Sequence, residues 1–121
     1  MVKSKTEVSV VVEQGAYKGT ILRNSLTTGE FEYHETYVNV KTESGSVLLK
    51  ASAAHKITKN TKLGKLLARF GAELKDEILD IDTDDYLQPG MEVMFNVERI
   101  ENKKGAIFSE IQIDTLVPFK G

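Results

Sequence analysis

The sequence predicts a mainly β fold, a five-stranded barrel carrying one amphipathic helix. Three observations predict it. Short runs rich in β-branched and aromatic residues recur between turn residues. The hydrophobic pattern changes once, near residue 60, from the alternation of a strand to the repeat of a helix. That single helix is too short to cover both faces of an open sheet, which favours closure.

The elements follow in order. Val8-Ser9-Val10-Val11-Val12 is strand-like, and Gly15 to Arg23 continues the strand, with glycines that permit a bulge or a sharp bend. Asn24 to Glu30 has turn chemistry. Phe31 to Thr42 is a long second strand, Glu43 to Ser46 a short turn and Val47 to Ala53 the third strand, so these two form a hairpin. Leu63, Leu66, Leu67 and Phe70 then fall at i, i+3, i+4 and i+7, one face of a helix. Asn60 or Thr61 can cap its start, and Gly71 sits where a left-handed C-cap is expected. An acidic loop with room for a helical turn runs from Leu74 to Tyr86. Met91 to Ile100 is a strand with Met91, Val93, Phe95 and Val97 on one face. Glu101 to Gly105 is a hairpin loop, and Ala106 to Asp114 is the last strand, with Ile107, Ile111 and Ile113 on one face.

Three strands, a helix and two strands are the element order of the OB-fold, a five-stranded Greek-key barrel whose helix lies between strands 3 and 4. Another small barrel, or a sandwich with a decorating helix, is the competing architecture. A length of 121 residues fits one domain over 1–121, with a core of about 7–114 and a short C-terminal extension, 115–121.

Composition narrows the function classes. There is no cysteine, which excludes disulfides, thiol catalysis and cysteine-held metals. No apolar run is long enough to span a membrane, and the lysines at the start precede no apolar h-region, so no signal peptide is expected. A cytoplasmic protein without a membrane partner is expected. No nucleophile elbow, phosphate-binding loop or dinucleotide fingerprint is present. Asp80-Ile81-Asp82-Thr83-Asp84-Asp85 imitates the start of a calcium loop but has Asp85 and Met91 where glycine and glutamate are needed. No catalytic residue, metal or cofactor is therefore expected. The two histidines, His34 and His55, are read as surface hydrogen-bonding groups.

The charge is segregated. Between Ser44 and Ala72 there are six basic residues and no acid, whereas residues 73–85 hold seven acids against Lys75 alone. A local basic face on an acidic chain is the footprint of a phosphate-backbone partner, and it is also what a solvated helix beside an acidic loop looks like.

The second strand is the most informative segment. Phe31, Tyr33, Tyr37, Asn39 and Lys41 share one parity, and Val38 and Val40 share the other, which reads as core. The first set then lies outside, unless a bulge turns Phe31 or Tyr33 inward. Nucleic-acid-binding OB-folds use the exposed face of strands 2 and 3. Aromatic rings there stack on bases while Lys and Arg track phosphates. Arg23, Lys50, Lys103 and Lys104 would border that face. Lys56, Lys59, Lys62, Lys65 and Arg69 form a second basic stripe, on the helix and its approach. The expected function is non-catalytic binding of single-stranded DNA or RNA. The alternative is a protein-interaction module in replication or virion assembly. Edge strands could also pair across a dimer axis.

Three segments carry a resemblance: Gly15-Ala16-Tyr17-Lys18-Gly19-Thr20-Ile21, Thr61-Lys62-Leu63-Gly64-Lys65-Leu66-Leu67 and Leu87-Gln88-Pro89-Gly90-Met91-Glu92-Val93. Together they make residues 8–118 similar to small phage, prophage and plasmid proteins with a predicted OB-fold, some taken to be single-stranded DNA-binding proteins. The resemblance lies in turns and core positions, so it implies the fold more than the ligand. Ile113 to Phe119 also resembles the acidic Pro-Phe tail of bacterial single-strand-binding proteins. It lacks the aspartate run and continues into Lys120-Gly121, so it is read as a tethered strand end.

Overall fold

The computed structural model describes residues 12–43 and 45–119. Most of the strand-like run Val8–Val12 lies outside those residues. Six strands form one antiparallel sheet: β1 (Gly15–Thr27), β2 (Tyr33–Thr42), β3 (Gly45–Ala54), β4 (Glu92–Glu101), β5 (Ile107–Ile111) and β6 (Val117–Pro118). One helix, α1 (Lys62–Arg69), lies between β3 and β4. The ladder order is β3-β2-β1-β4-β5, with β6 paired to the start of β4.

β1 holds the two halves of the sheet together. Gly19 and Thr20 pair with Val40 and Asn39 of β2, and the same two residues pair with Val93 and Glu92 of β4. Strand β1 passes so close to β2 there that a Cβ on Gly19 would come 2.6 Å from Val38 Cγ1 and 2.8 Å from the Asn39 carbonyl oxygen. Only glycine fits that crossing. A bulge follows between Ile21 and Arg23, with Leu22 as the extra residue, and it bends the strand toward its far end. The stretch Asn24–Thr27 continues the strand rather than turning, because its backbone pairs with Tyr33–Thr36. The turn is confined to the residues just before Tyr33, and Phe31 lies there, outside β2.

The sheet is open, which corrects the expected closed barrel. Parts of β3 and β5 lie within 8 Å of each other, Cα to Cα, but no ladder joins them among the described residues. The reason lies in the end of the chain. β5 stops after five residues, a 3₁₀ turn (Ile113–Thr115) follows, and β6 returns to β4 instead of running on beside β3. Strand β5 therefore ends at Ile111, short of Asp114. Ile107 sits at its hairpin end and is exposed, whereas Ser109 and Ile111 point inward.

The inward faces of β1 to β5 supply Ile21, Val38, Val40, Leu49, Ala51, Val93, Phe95, Val97 and Ile111 to one core. α1 contributes Leu63, Leu66 and Leu67, all fully buried, with Phe70 half-buried beside them. Of the two candidate caps, Thr61 is the one used: its Oγ1 accepts from Gly64 N at 3.0 Å. Gly64 is needed for packing, since a Cβ there would collide with the Thr58 carbonyl oxygen. Gly71 ends the helix at φ +105°.

Residues 115–119 are built into the fold. Leu116 is fully buried, and Phe119 N donates to the Glu92 carbonyl at 2.9 Å. Arg69 ties this end to the helix, with Nε donating to Leu116 O at 3.0 Å and Nη2 to Ile113 O at 2.6 Å. Arg69 is thus a structural clamp and not an open member of the basic stripe. Among the described residues no helix is long and apolar enough to cross a membrane.

The packing of α1 sets a stability expectation. Leu67→Ala removes a fully buried side chain and leaves a cavity between helix and sheet, so it should cost about 2–5 kcal/mol. Urea denaturation measures this directly. A midpoint equal to that of the parent would mean the helix does not belong to the core.

Candidate functional site

Strand β2 sorts its side chains cleanly. His34, Thr36, Val38 and Val40 are buried. Tyr33, Glu35, Tyr37, Asn39 and Lys41 form the outward row. The alternation follows from the pleat, and the core valines choose which parity goes in. On the same outer surface, β1 brings Thr20, Arg23 and Thr27 alongside Asn39, Tyr37 and Tyr33, while β3 brings Leu48 and Lys50 alongside Asn39 and Tyr37.

Glu35 is the centre of this surface, and no reading of aromatics and lysines alone would find it. Thr27 Oγ1 donates to its Oε1 at 2.8 Å and Tyr37 Oη to the same oxygen at 3.1 Å. Lys50 Nζ donates to its Oε2 at 2.7 Å. One carboxylate therefore ties together side chains from three strands. Burial opposes its charge, but the hydrogen bonds from Lys50, Thr27 and Tyr37 outweigh that and hold the Glu35 carboxyl below its ordinary range. For Lys50, burial likewise works against the charge and the Glu35 partner overrides it, so its pKa is raised. Tyr37 is raised by burial and by the facing Glu35 carboxylate. The Arg23 guanidinium lies over the Tyr37 ring, 4.2 Å from its centroid. One face of Tyr37 is thus already occupied by a planar cation.

Beyond Lys50 the surface turns acidic. Glu110 of β5 interacts electrostatically with both Lys50 and Glu35, and its carboxyl is raised by burial and by the neighbouring Glu98. Glu98 and Glu110 stand opposite one another in the β4–β5 ladder.

The inward side of β2 carries a polar chain where only core was expected. His34, just 2% exposed, is not a surface group. Its Nε2 lies 2.8 Å from Thr36 Oγ1, and Thr36 Oγ1 donates to Asn24 Oδ1 at 2.7 Å. Asn24 Nδ2 donates in turn to Asp84 Oδ1 at 2.7 Å and to the Leu87 carbonyl at 2.8 Å. The roles are fixed by elimination. Asn24 Oδ1 can only accept, so the single Thr36 proton goes to it, and Thr36 must accept from a protonated His34 Nε2. His34 therefore carries a proton on Nε2 and heads a chain of donors that ends on a carboxylate. The His55 ring stacks 6.5 Å away, centroid to centroid, and its buried Nδ1 has no hydrogen-bond partner among the described residues. Parity carried the signal here, since His34 and Thr36 alternate with the outward row just as Val38 and Val40 do.

The remaining expected residues are dispersed. Phe31 is 63% exposed in the connection before β2. Lys103 and Lys104 are exposed in the β4–β5 loop, whose shape is set by Asn102 Oδ1 accepting from Lys104 N and Ala106 N. That loop begins past Val97, the last β4 residue paired with β1, so the ladders do not bring it alongside β2. Lys56, Lys62 and Lys65 are exposed, the two helical lysines on the side of α1 opposite its buried face, away from the outward row of β2. Lys59 pairs with Asp76 of the acidic segment at 3.1 Å. Within that segment, Asp82 caps the 3₁₀ turn Thr83–Asp85 by accepting from Asp84 N at 3.0 Å. What the structure does bring together is Tyr37 and Lys50 around Glu35, with Arg23 over the Tyr37 ring, and Asn39 with Lys41 in a groove that also takes in Lys18 and Thr20. No protein-family model matches the chain, and no curated protein matches it.

The buried imidazole makes folding stability depend on pH. Burial, then the neighbouring His55, push His34 from 6.5 down to about 4, against the pull of Asp84 and Glu35. Between those values the unfolded chain takes up a proton that the folded protein refuses. Stability is then full above about pH 6.5 and declines to about pH 4, by at most ~3 kcal/mol. His34→Gln keeps an N–H for Thr36 but cannot titrate. Urea midpoints measured from pH 7 to 4.5 should fall in the parent and stay flatter in the variant. Equal pH slopes would remove His34 as the cause.

Proposed function

We propose that the protein is a non-catalytic module that binds single-stranded nucleic acid, DNA in the first instance, without strong sequence preference, in the cytoplasm. The fold we infer with it is OB-like. A ladder order of β3-β2-β1-β4-β5, a helix between β3 and β4, and an approach of β3 toward β5 are what an OB-like barrel with an unzipped seam would present. The observation that carries the function is the outward row of β2. It places Tyr33, Tyr37, Asn39 and Lys41 on the solvent side of a sheet whose other side is core, with Arg23 against Tyr37. Rings and guanidinium planes accept any base, and cations follow the backbone.

A second reading is favoured by a different observation. Leu22, Leu26, Phe31, Leu48 and Ile78 are all more than a third exposed, which suits a protein partner such as a replication or virion component.

Fluorescence titration with a labelled oligothymidylate at about 50 and about 200 mM salt separates the two. Binding that weakens steeply with salt supports the nucleic-acid reading, and no binding at the lower salt favours the protein partner. Within the first reading, Tyr37→Ala should cost ~1–3 kcal/mol of affinity. Tyr37→Phe keeps the ring and loses only the 3.1 Å hydrogen bond to Glu35, so it should bind nearly as the parent does. Equal affinity of Tyr37→Ala and parent would remove that ring from the site.

A further inference from the structure

The two flanks of the outward β2 row differ in charge, and the difference selects a path for the ligand. On the β3–β5 flank, Lys50 is already held by Glu35 at 2.7 Å, and Glu110 and Glu98 stand beyond it. Three carboxylates there face one cation. The β1 flank is the reverse. Lys18, Thr20, Asn39 and Lys41 line one open groove with Glu92 as its sole acid, and Arg23 adjoins it over Tyr37. Among the described residues the salt bridges involve Lys50 and Lys59, not Lys18, Lys41 or Arg23. Lys18 Nζ lies 4.6 Å from the Phe119 ring centroid, a contact that steers an ammonium without neutralising it.

Resting on the nucleic-acid reading, we propose that the single strand lies along β1–β2, over Arg23/Tyr37, then Thr20/Asn39, then Lys18/Lys41, and not across β2–β3 toward β5. Thr20 pairs with Asn39 and Arg23 with Tyr37 across the ladder, and Lys18 and Lys41 come next on each strand. Outward residues two apart on a strand recur every ~6.6 Å, a repeat that an extended single strand can follow. Each rung has its own chemistry. The guanidinium plane over Tyr37 takes a base by stacking. The Asn39 amide both donates and accepts, so it meets any base edge. The two ammoniums take phosphate oxygens. A polyanion laid the other way would pass over Glu35, Glu110 and Glu98, where Lys50 is already paired with Glu35.

The test is the salt dependence of oligothymidylate binding by the full chain. Lys18→Ala/Lys41→Ala should lower the slope of log K against log salt by up to ~0.7 per lysine. Lys50→Ala should leave the slope at the parent value, because no phosphate contact is lost. Lys18→Arg/Lys41→Arg keeps the charge and should restore the slope, which excludes a folding defect. A slope reduced by Lys50→Ala, or unchanged by the Lys18/Lys41 double variant, overturns the path and leaves the binding function standing. A parent protein that does not bind the oligonucleotide at low salt overturns both.

Discussion

The close approach of β1 to β2 at Gly19 is the constraint on which the sheet depends. β2–β3 and β4–β5 share no ladder among the described residues, and β1 alone pairs with both β2 and β4. At Gly19 and Thr20 the strand serves both neighbours at once. A side chain at residue 19 would press into Val38 and the Asn39 carbonyl, so β1 would have to retreat from one partner. With the crossing intact, the bulge at Leu22 turns the rest of β1 along β2 and brings Arg23 opposite Tyr37. The same crossing gathers Lys18, Thr20 and Asn39 around one groove. The backbone fit inside the sheet and the charge pattern outside it thus have one origin.

Much of this was legible in the residues, and for simple reasons. The period of two in β2 and β4, the helical repeat of Leu63, Leu66 and Leu67, and the cap at Thr61 are local signals, and the structure repeats them. What was not legible depends on where the chain goes next. The seam between β3 and β5 stays unpaired because β6 returns to β4, a choice that two residues at the end of the chain make. Asn24, which reads as a turn residue, is held in a strand by Thr36, Asp84 and Leu87, partners up to 63 residues away. His34 shows a different lesson. Its parity with Val38 and Val40 pointed inward, but its polarity argued for the surface, and burial prevailed because Thr36 and Asn24 supply the hydrogen bonds that make a polar core group tolerable.

The polar chain and the outer carboxylate do related work on opposite faces of β2. Inside, His34, Thr36 and Asn24 fasten the acidic segment at Asp84 to the sheet. Outside, Glu35 draws Thr27, Tyr37 and Lys50 to one point. Each network takes a side chain from β1 and from β2 and then one from a third element. Together they fix the tilt of the two strands more tightly than backbone pairing alone would. A side chain held by fixed neighbours keeps little freedom, so Tyr37, bonded to Glu35 and covered by Arg23, is held in one place.

Charge runs along a sequence are a poor map of charge on a surface, and this molecule shows why. The basic stretch from Ser44 to Ala72 looks like the richest source of phosphate contacts. Folding takes three of its six cations out of that role. Lys50 goes to Glu35, Lys59 to Asp76, and Arg69 to the carbonyls of Ile113 and Leu116. In the acidic run, Asp76 is paired with Lys59 and Asp84 is tied to the sheet by the Asn24 amide. Beside the outward row, the cations outside the salt bridges of the described residues come instead from the first 43 residues, where acids and bases are nearly balanced in number. Lys18, Arg23 and Lys41 are far apart in sequence, and they converge because β1 and β2 are paired around Gly19. The clustering of these cations is a product of strand register, and it is read from the ladder rather than from the charge run.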